Sequence, residues 1–545
     1  MCGIAGILSA MTVSVALLRR MAERIAHRGP DDHGVWTDAD SGIGLAHRRL
    51  AIIDLSPQGH QPITSASGQW ILCYNGEVYN HAELRAELTT AGAAPTGGWR
   101  GHSDTETLLE CIAAWGLEAT LSRAVGMFAF ALWNRDLREL SLVRDRFGEK
   151  PLYYGWAGRD FIFGSELKAL KAHPQFQVQI DRSSLNDFAR RGYVPAPRSI
   201  YRNVFKLEPG CVLTLTQAAA GVIRDQPVQE DRPEDGCRLT RYWSYRKVVN
   251  HGLEQPIADE ADALSMLDQV LSLAVRNQSV ADVPVGAFLS GGIDSSTVVA
   301  LYQKYASTPM HTFSIGFEEE QFNEAHHAKA IAQHLGTVHA ERYVTVAETQ
   351  NVIPLLPAMY DEPFADSSQI PTFLVSKFAR EQVTVALSGD GGDELFGGYN
   401  RHVLAPPLWH HMNRLPYAVR TNIAGPLSRV PARVWSRAAA LSPGRAQPHF
   451  GTKVQKALRI AAGATRFEDV FASFLDEWSF TRSPVLGTAG QGTTFDMALR
   501  DGTPEAVRMM YCDAVSYLPD DILCKVDRAS MAVSLETRTP FWITK

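Results

Sequence analysis

Residues 283–305 read VPVGAFLSGGIDSSTVVALYQKY. A short apolar run ends at Leu289, glycines follow at Gly291 and Gly292, and an apolar periodic stretch opens near Thr297. That order predicts a strand over Val283 to Leu289, a tight turn, and a helix over Thr297 to Tyr305. Glycines let a backbone approach a ligand closely, and the N–H groups at the start of a helix favour an anion. Ser290 and Ser295 add hydroxyl donors, and Asp294 adds a carboxylate. No Gly-Lys-Ser/Thr follows, so this is not a Walker A loop. Taken alone, the same residues equally describe a plain strand-to-helix connection.

The neighbouring sequence extends the pattern. Leu264, Leu267, Leu271 and Val275 recur upstream at helical spacing. Downstream come a strand at HTFSIGF, a helix over Asn323 to Leu335, a strand at HAERYV, another helix and a strand at VTVALS. Alternating strands and helices predict a parallel sheet covered by helices. A second loop, LSGDGGDELFGGY over residues 387–399, also follows a strand and sets Asp390, Asp393 and Glu394 among glycines. Carboxylates beside a phosphate cradle suit Mg²⁺ bridged to phosphate oxygens. Two such loops after parallel strands converge on one edge of the sheet, where α/β sites sit.

Residues 1–215 have another rhythm. Short apolar runs such as GIAGIL, WILCYNGEVY, GMFAFALWN and DFIFGSE are punctuated by Gly, Asn and Asp. With helices over Ser14 to Ile25 and Asp104 to Trp115, they predict a two-sheet α+β domain. Cys2 follows Met1. Removal of Met1 would put a thiol and a free α-amine on one residue, and an amine with a pKa of about 7.7–8.0 can serve as base for its own nucleophile. Arg49 opens an apolar run and can fork onto a carboxylate. Asn75 and Gly76, an amide beside a backbone N–H, can stabilise an oxyanion. Glu77 and Asp104 can hold an ammonium. Each also has a plain structural reading: a turn at Asn75-Gly76, a helix cap at Asp104, a surface charge at Arg49.

Composition narrows the classes. Of 545 residues, 45% are hydrophobic and 21% charged, which excludes a disordered, collagenous or coiled-coil chain. A net charge of -6 gives no global reason to expect nucleic acid or a membrane. The basic stretch over residues 401–459, eight Arg and two Lys without an acid, reads as solvated helical faces rather than a nucleic-acid patch. The apolar run Met127 to Trp133 is too short to span a bilayer, and no basic region precedes the apolar N-terminus, as a secretory signal requires. Seven scattered cysteines without a CxxC pair suit free thiols in a reducing cytoplasm. The polar segment over residues 217–240 reads as a linker.

CGIAGI, HRGPDDHG, HRRLAIIDLS, YNGEVYNH and SDTE resemble, in order and spacing, the class II glutamine amidotransferases, which use an N-terminal nucleophile. SGGIDSS resembles the pyrophosphate loop of the ATP pyrophosphatase group. With YDEPFADSSQIP and LPDDILCKVDRASMAVSLETR, the whole chain resembles the glutamine-hydrolysing asparagine synthetases. The resemblance implies an amidotransferase domain over 2–215, a linker or excursion over 216–240 and a synthetase domain over 241–545. It implies that Cys2 attacks glutamine, that Asn75 and Gly76 form the oxyanion hole, and that Arg49, Ile52, Asn75, Glu77 and Asp104 bind glutamine. It implies ATP binding by Leu289, Ser290, Gly291, Gly292, Asp294, Ser295, Ile315, Ser388 and Gly389, with Mg²⁺ at Asp294 and Asp393. Asp390 stands where a longer Glu is common and would assist formation of an acyl-adenylate. The implied substrates are glutamine, aspartate and ATP, with no nucleic acid or membrane, and a homodimer is allowed.

The same two halves would also serve a ligase that amidates a sugar acid or a peptide carboxylate, or a glutaminase with an idle second half. A β-lactam-type cyclase would be expected to lack Cys2. The resemblance runs to Phe541 and stops in Trp-Ile-Thr-Lys, where similar synthetases continue into a helical segment carrying a lysine near the nucleotide. On that basis the chain is expected to be truncated. Apolar surface near Leu518 to Val533 would then be uncovered, and synthesis weak beside glutamine hydrolysis. The alternative is a shorter variant in which another residue, such as Lys525, supplies the charge.

Overall fold

A computed structural model describes residues 1–318, 323–440, 449–478, 483–488 and 499–542. The N-terminal half stacks two antiparallel six-stranded sheets. The first orders strands Val204–Lys206, Tyr153–Ala157, Asp160–Gly164, Gly3–Leu8, Ile43–Arg49 and Asp32–Asp38. The second orders Cys237–Arg241, Cys211–Thr216, Glu139–Arg144, Gly126–Asn134, Trp70–Val78 and Ile63–Thr64.

Side-chain alternation explains the layering. Ile4, Leu8, Ile71, Cys73, Ala131 and Trp133 meet between the sheets. Their neighbours Ala5 and Ile7 face Leu18, Met21 and Ala22 of the helix Val15–Glu23. Leu72, Tyr74 and Phe130 face Leu84 and Leu108 of the helices His81–Thr90 and Asp104–Trp115. Strands buried on both faces read as continuous apolar runs.

The segment over 216–240, read above as a linker, takes part in this half. Ala219 and Val228 are buried in the inter-sheet core, and Cys237–Arg241 pairs antiparallel with Cys211–Thr216. Only Cys237 and Leu239 point inward, so the alternating polar residues masked the strand in the sequence.

The C-terminal half carries a five-stranded, fully parallel sheet. Its order is Val338–Val344, His311–Phe317, Val285–Phe288, Val385–Leu387 and Glu536–Arg538. The chain builds outward from Val285–Phe288 on one side, then returns to build on the other. The loops after Val285–Phe288 and Val385–Leu387 therefore lie together at a topological switch point.

The expected bare apolar surface near Leu518 to Val533 is not found. Leu518, Ile522, Leu523, Val526 and Met531 are buried. A π-helix over Asp513–Ile522, with Pro519 inside it, and the helix Leu523–Met531 wedge this segment between the halves. Of the terminal Trp-Ile-Thr-Lys, residues 543–545 lie outside the described residues.

Two candidate active sites and the interface that joins them

Antiparallel register sets the first site. Gly3 pairs with Arg48, which brings Arg49 beside Cys2. The Cys2 amide N–H donates to Asn75 Oδ1 at 2.8 Å, and Cys2 Sγ lies 3.9 Å from the Leu50 carbonyl. Asn75 is fully buried, yet its Nδ2 has no partner, leaving a donor free beside the thiol. A Cβ at Gly76 would meet the Met127 carbonyl at 2.2 Å, so only glycine lets the two strands close there. The Arg49 guanidinium is anchored on the carbonyls of Asp54 and Ser56. Asp104, the first residue of a helix capped by Ser103, accepts from Tyr74 Oη at 3.0 Å and Val78 N at 2.9 Å. The turn, cap and surface-charge readings of Asn75-Gly76, Asp104 and Arg49 therefore do not describe these positions: strand, helix start and buried cation do.

Ile52 contributes differently. Its side chain packs with Met1, Leu50, Tyr79 and Met127, and its carbonyl accepts from Asp282 N at 2.9 Å. Burial pushes the Cys2 thiol up, and the α-amine and a backbone hydrogen bond from Leu50 offset this in part. With Met1 in place, that amine is not at Cys2: it lies 2.6 Å from Glu536 Oε2. Burial, then Asp104 and Glu536, push the Glu77 carboxyl up, against the opposing Arg538.

The second site is a cleft of about 1120 Å³ at the C-terminal edge of the parallel sheet. Leu289, Ser290, Gly292, Asp294, Ser295, Ile315, Ser388, Gly389, Asp390 and Asp393 all line it. Gly291 is set back and makes the turn at φ 85°, in the left-handed region that favours glycine. Ser295 Oγ accepts from Ser290 N at 3.2 Å and lies 3.0 Å from Ser290 Oγ, closing the loop into a hydroxyl-lined nest at the start of the helix Ile293–Tyr305. A Cβ at Gly389 would meet Ser295 N at 2.6 Å, so the two loops touch backbone to backbone.

Burial, then Asp393 and Asp390, raise the Asp294 carboxyl. Carboxylates that press on one another, with hard oxygen donors, fit Mg²⁺ shared with phosphate oxygens. Among the described residues, no group of three or more His, Cys, Asp or Glu is placed to hold a metal unaided. The cleft also brings in Asp366 and Tyr399, which the sequence left without a role, and Lys525, named there as an alternative source of positive charge. Lys525 Nζ lies 3.4 Å from Asp366 and 3.8 Å from Asp390. Tyr399 Oη donates to Glu394 at 2.5 Å, and burial pushes the Glu394 carboxyl to about 7. Asp366 falls in the quoted YDEPFADSSQIP block, the signal that could have pointed to it.

Between the sites runs a buried ionic seam. Arg28 forks onto Asp527 at 2.8 and 2.9 Å and reaches Glu166 at 2.8 Å. Arg528 meets Glu166 at 3.0 Å, and Lys206 meets Glu362 at 2.7 Å.

A family model described as a glutamine amidotransferase domain matches residues 1–225, and one described as asparagine synthase matches residues 266–544. The chain belongs to the asparagine synthase family. Within it, "Asparagine synthetase [glutamine-hydrolyzing] 1" of Bacillus subtilis (strain 168) is 33% identical over 99% of this chain and 79% of its own length. "Asparagine synthetase [glutamine-hydrolyzing] 3" of the same organism is 29% identical over the same shares. A solved glutamine phosphoribosylpyrophosphate amidotransferase from B. subtilis overlaps with a TM-score of 0.34 at 16% identity, covering 64% of this chain and 91% of that one. Membership of the family makes the chain a carbon–nitrogen ligase with an amidotransferase half. Among the described residues no helix is long and apolar enough to cross a membrane.

Proposed function

We propose that this chain converts aspartate to asparagine, with nitrogen drawn from glutamine and ATP cleaved to AMP and pyrophosphate. The observation that carries the reading is the pairing in one chain of a buried Cys2–Asn75–Arg49 site with a cleft lined by both glycine loops. In this reading an amidotransferase domain runs from Cys2 through the strand Cys237–Arg241, and the synthetase domain follows.

Loss of Met1 leaves the α-amine on Cys2, where it takes the thiol proton. The thiolate attacks the glutamine amide carbon. Asn75 Nδ2 and the Gly76 N–H hold the oxyanion, ammonia leaves, and water releases glutamate from the thioester. Arg49 receives the glutamine α-carboxylate beside Ile52, and Glu77 and Asp104 receive its ammonium. In the cleft, Leu289 and Ile315 flank the adenine, and Ser290–Gly292, Ser295 and Ser388-Gly389 cradle the phosphates. Asp294 and Asp393 would hold Mg²⁺, which neutralises phosphate charge when bound.

The aspartate side-chain carboxylate attacks the α-phosphorus and pyrophosphate leaves. Ammonia then attacks the acyl carbon, AMP leaves with the bonding pair, and the attacking nitrogen sheds a proton. Lys525 beside Asp390 supplies positive charge where adenylation builds negative charge. Enclosed passage between the sites keeps ammonia unprotonated. The scattered free thiols suit a cytoplasmic enzyme.

The test supplies the processed enzyme with aspartate, Mg-ATP and amide-¹⁵N glutamine, and reads the label in asparagine. Cys2→Ala should lose label transfer and keep ammonia-driven synthesis. Equal transfer by Cys2→Ala would refute the reading.

A further inference from the structure

One residue touches both sites. Arg538 is buried on the strand Glu536–Arg538. Its Nε donates to Glu536 Oε1 at 2.7 Å, and its Nη1 donates to the carbonyls of Gln278 and Val280 at 2.7 and 2.8 Å. Its Nη2 is left over. That atom lies 3.7 Å from Glu77 Oε1 and makes no hydrogen bond, and Glu77 Oε2 makes none either. A buried guanidinium and a buried carboxyl face each other just beyond contact, each with a desolvated atom unsatisfied.

The backbone of the same residue points the other way. The Arg538 carbonyl accepts from Ser388 N at 2.8 Å, at the first residue of the second glycine loop. The side chain thus reaches the glutamine-side carboxylate while the main chain holds the nucleotide-side loop. A shift of the strand by a fraction of an ångström would close or open the gap to Glu77.

Resting on the functional reading above, we propose that Arg538 is a positioning residue through which an occupied nucleotide loop sets Glu77 for glutamine. A nucleotide that orders Ser388 to Asp390 fixes the Arg538 backbone. The guanidinium then pins Glu77 Oε1, holds the carboxylate ionised and aims Oε2 at the glutamine ammonium. Glutamine binds more tightly when nucleotide is present, and by linkage nucleotide binds more tightly, by the same factor, when glutamine is present.

Calorimetry on Met1-processed Cys2→Ala protein, which cannot turn glutamine over, reads this directly. Glutamine is titrated with and without saturating Mg²⁺ and α,β-methylene-ATP, and the nucleotide is titrated with and without glutamine. The expected result is a drop of about fivefold in each Kd. Arg538→Lys keeps the charge and loses the fork. It should bring both ratios close to one, a change that loss of structural support alone would not produce. Glu536→Gln, which frees the guanidinium from its anchor, should do the same and serves if Arg538→Lys does not fold. A ratio of one in the parent, or an undiminished ratio in both variants, overturns the inference and leaves the functional reading standing. No glutamine binding under any condition overturns both.

Discussion

Arg49 shows how one side chain is committed before substrate arrives. Its guanidinium is held by the carbonyls of Asp54 and Ser56, so the remaining N–H groups have a fixed direction. A lysine ammonium cannot hold both carbonyls and also present a planar pair to a carboxylate. Arg49→Lys should raise the glutamine KM by about tenfold or more while lowering kcat less. Steady-state glutaminase kinetics give the split, and an unchanged KM would remove Arg49 from the binding role. Cys2, Asn75, Arg49 and Asp104 were all legible as candidates because each sits in a short motif, CGIAGI, YNGEVYNH, HRRLAIIDLS and SDTE, whose order and spacing add up. Glu536 and Arg538 were not. A three-residue strand reading Glu-Thr-Arg looks like an exposed edge, and only tertiary burial against the other half turns its charges inward.

At the level of elements, the sequence read best where one periodicity ruled. The helix expected near Asp104 to Trp115 occupies those residues, and the expected strand at HTFSIGF spans His311–Phe317. The helix after SGGIDSS begins at Ile293 rather than Thr297, because the loop residues Asp294 to Ser296 already form its first turn. The strand Cys237–Arg241 was missed because half its residues face solvent. The helix Leu523–Met531 carries the clearest energetic test of the seam between the halves. Burial would raise the Asp527 carboxyl, and the Arg28 guanidinium overcomes it and holds the group below its usual range. Arg28→Ala leaves Asp527 and Glu166 buried without that partner, and such a loss costs about 3–5 kcal/mol. Denaturant unfolding of the variant should show this decrease. A change within about 0.5 kcal/mol, as at ordinary surface sites, would mean the seam adds little.

For the whole molecule, buried carboxyls in and behind the cleft carry a built-in pH dependence. Burial, then the neighbouring Asp366, push the Asp521 carboxyl to about 8, and burial pushes Glu394 to about 7. Unfolded carboxyls titrate near pH 4, so between about pH 4 and these values the folded chain holds more protons than the unfolded one. The contribution of both groups to stability therefore falls as pH rises through that window and is level above it. Asp521→Asn removes the larger share. Its melting temperature should decline less than that of the wild type between pH 5 and 8.5, and an equal decline would place the pH dependence elsewhere.

At the centre stands the claim that glutamine hydrolysis at Cys2 and ATP cleavage in the cleft together amidate aspartate within this chain. Pyrophosphate release by the 545-residue protein is the most direct measure, with Mg-ATP, glutamine and one carboxylate at a time. The account predicts release that requires aspartate, matches asparagine formed one for one, and falls away in Asp294→Asn while glutamine hydrolysis persists. Release that ignores aspartate and follows a sugar acid or peptide carboxylate, or glutamine hydrolysis with no release from any acceptor, would contradict it.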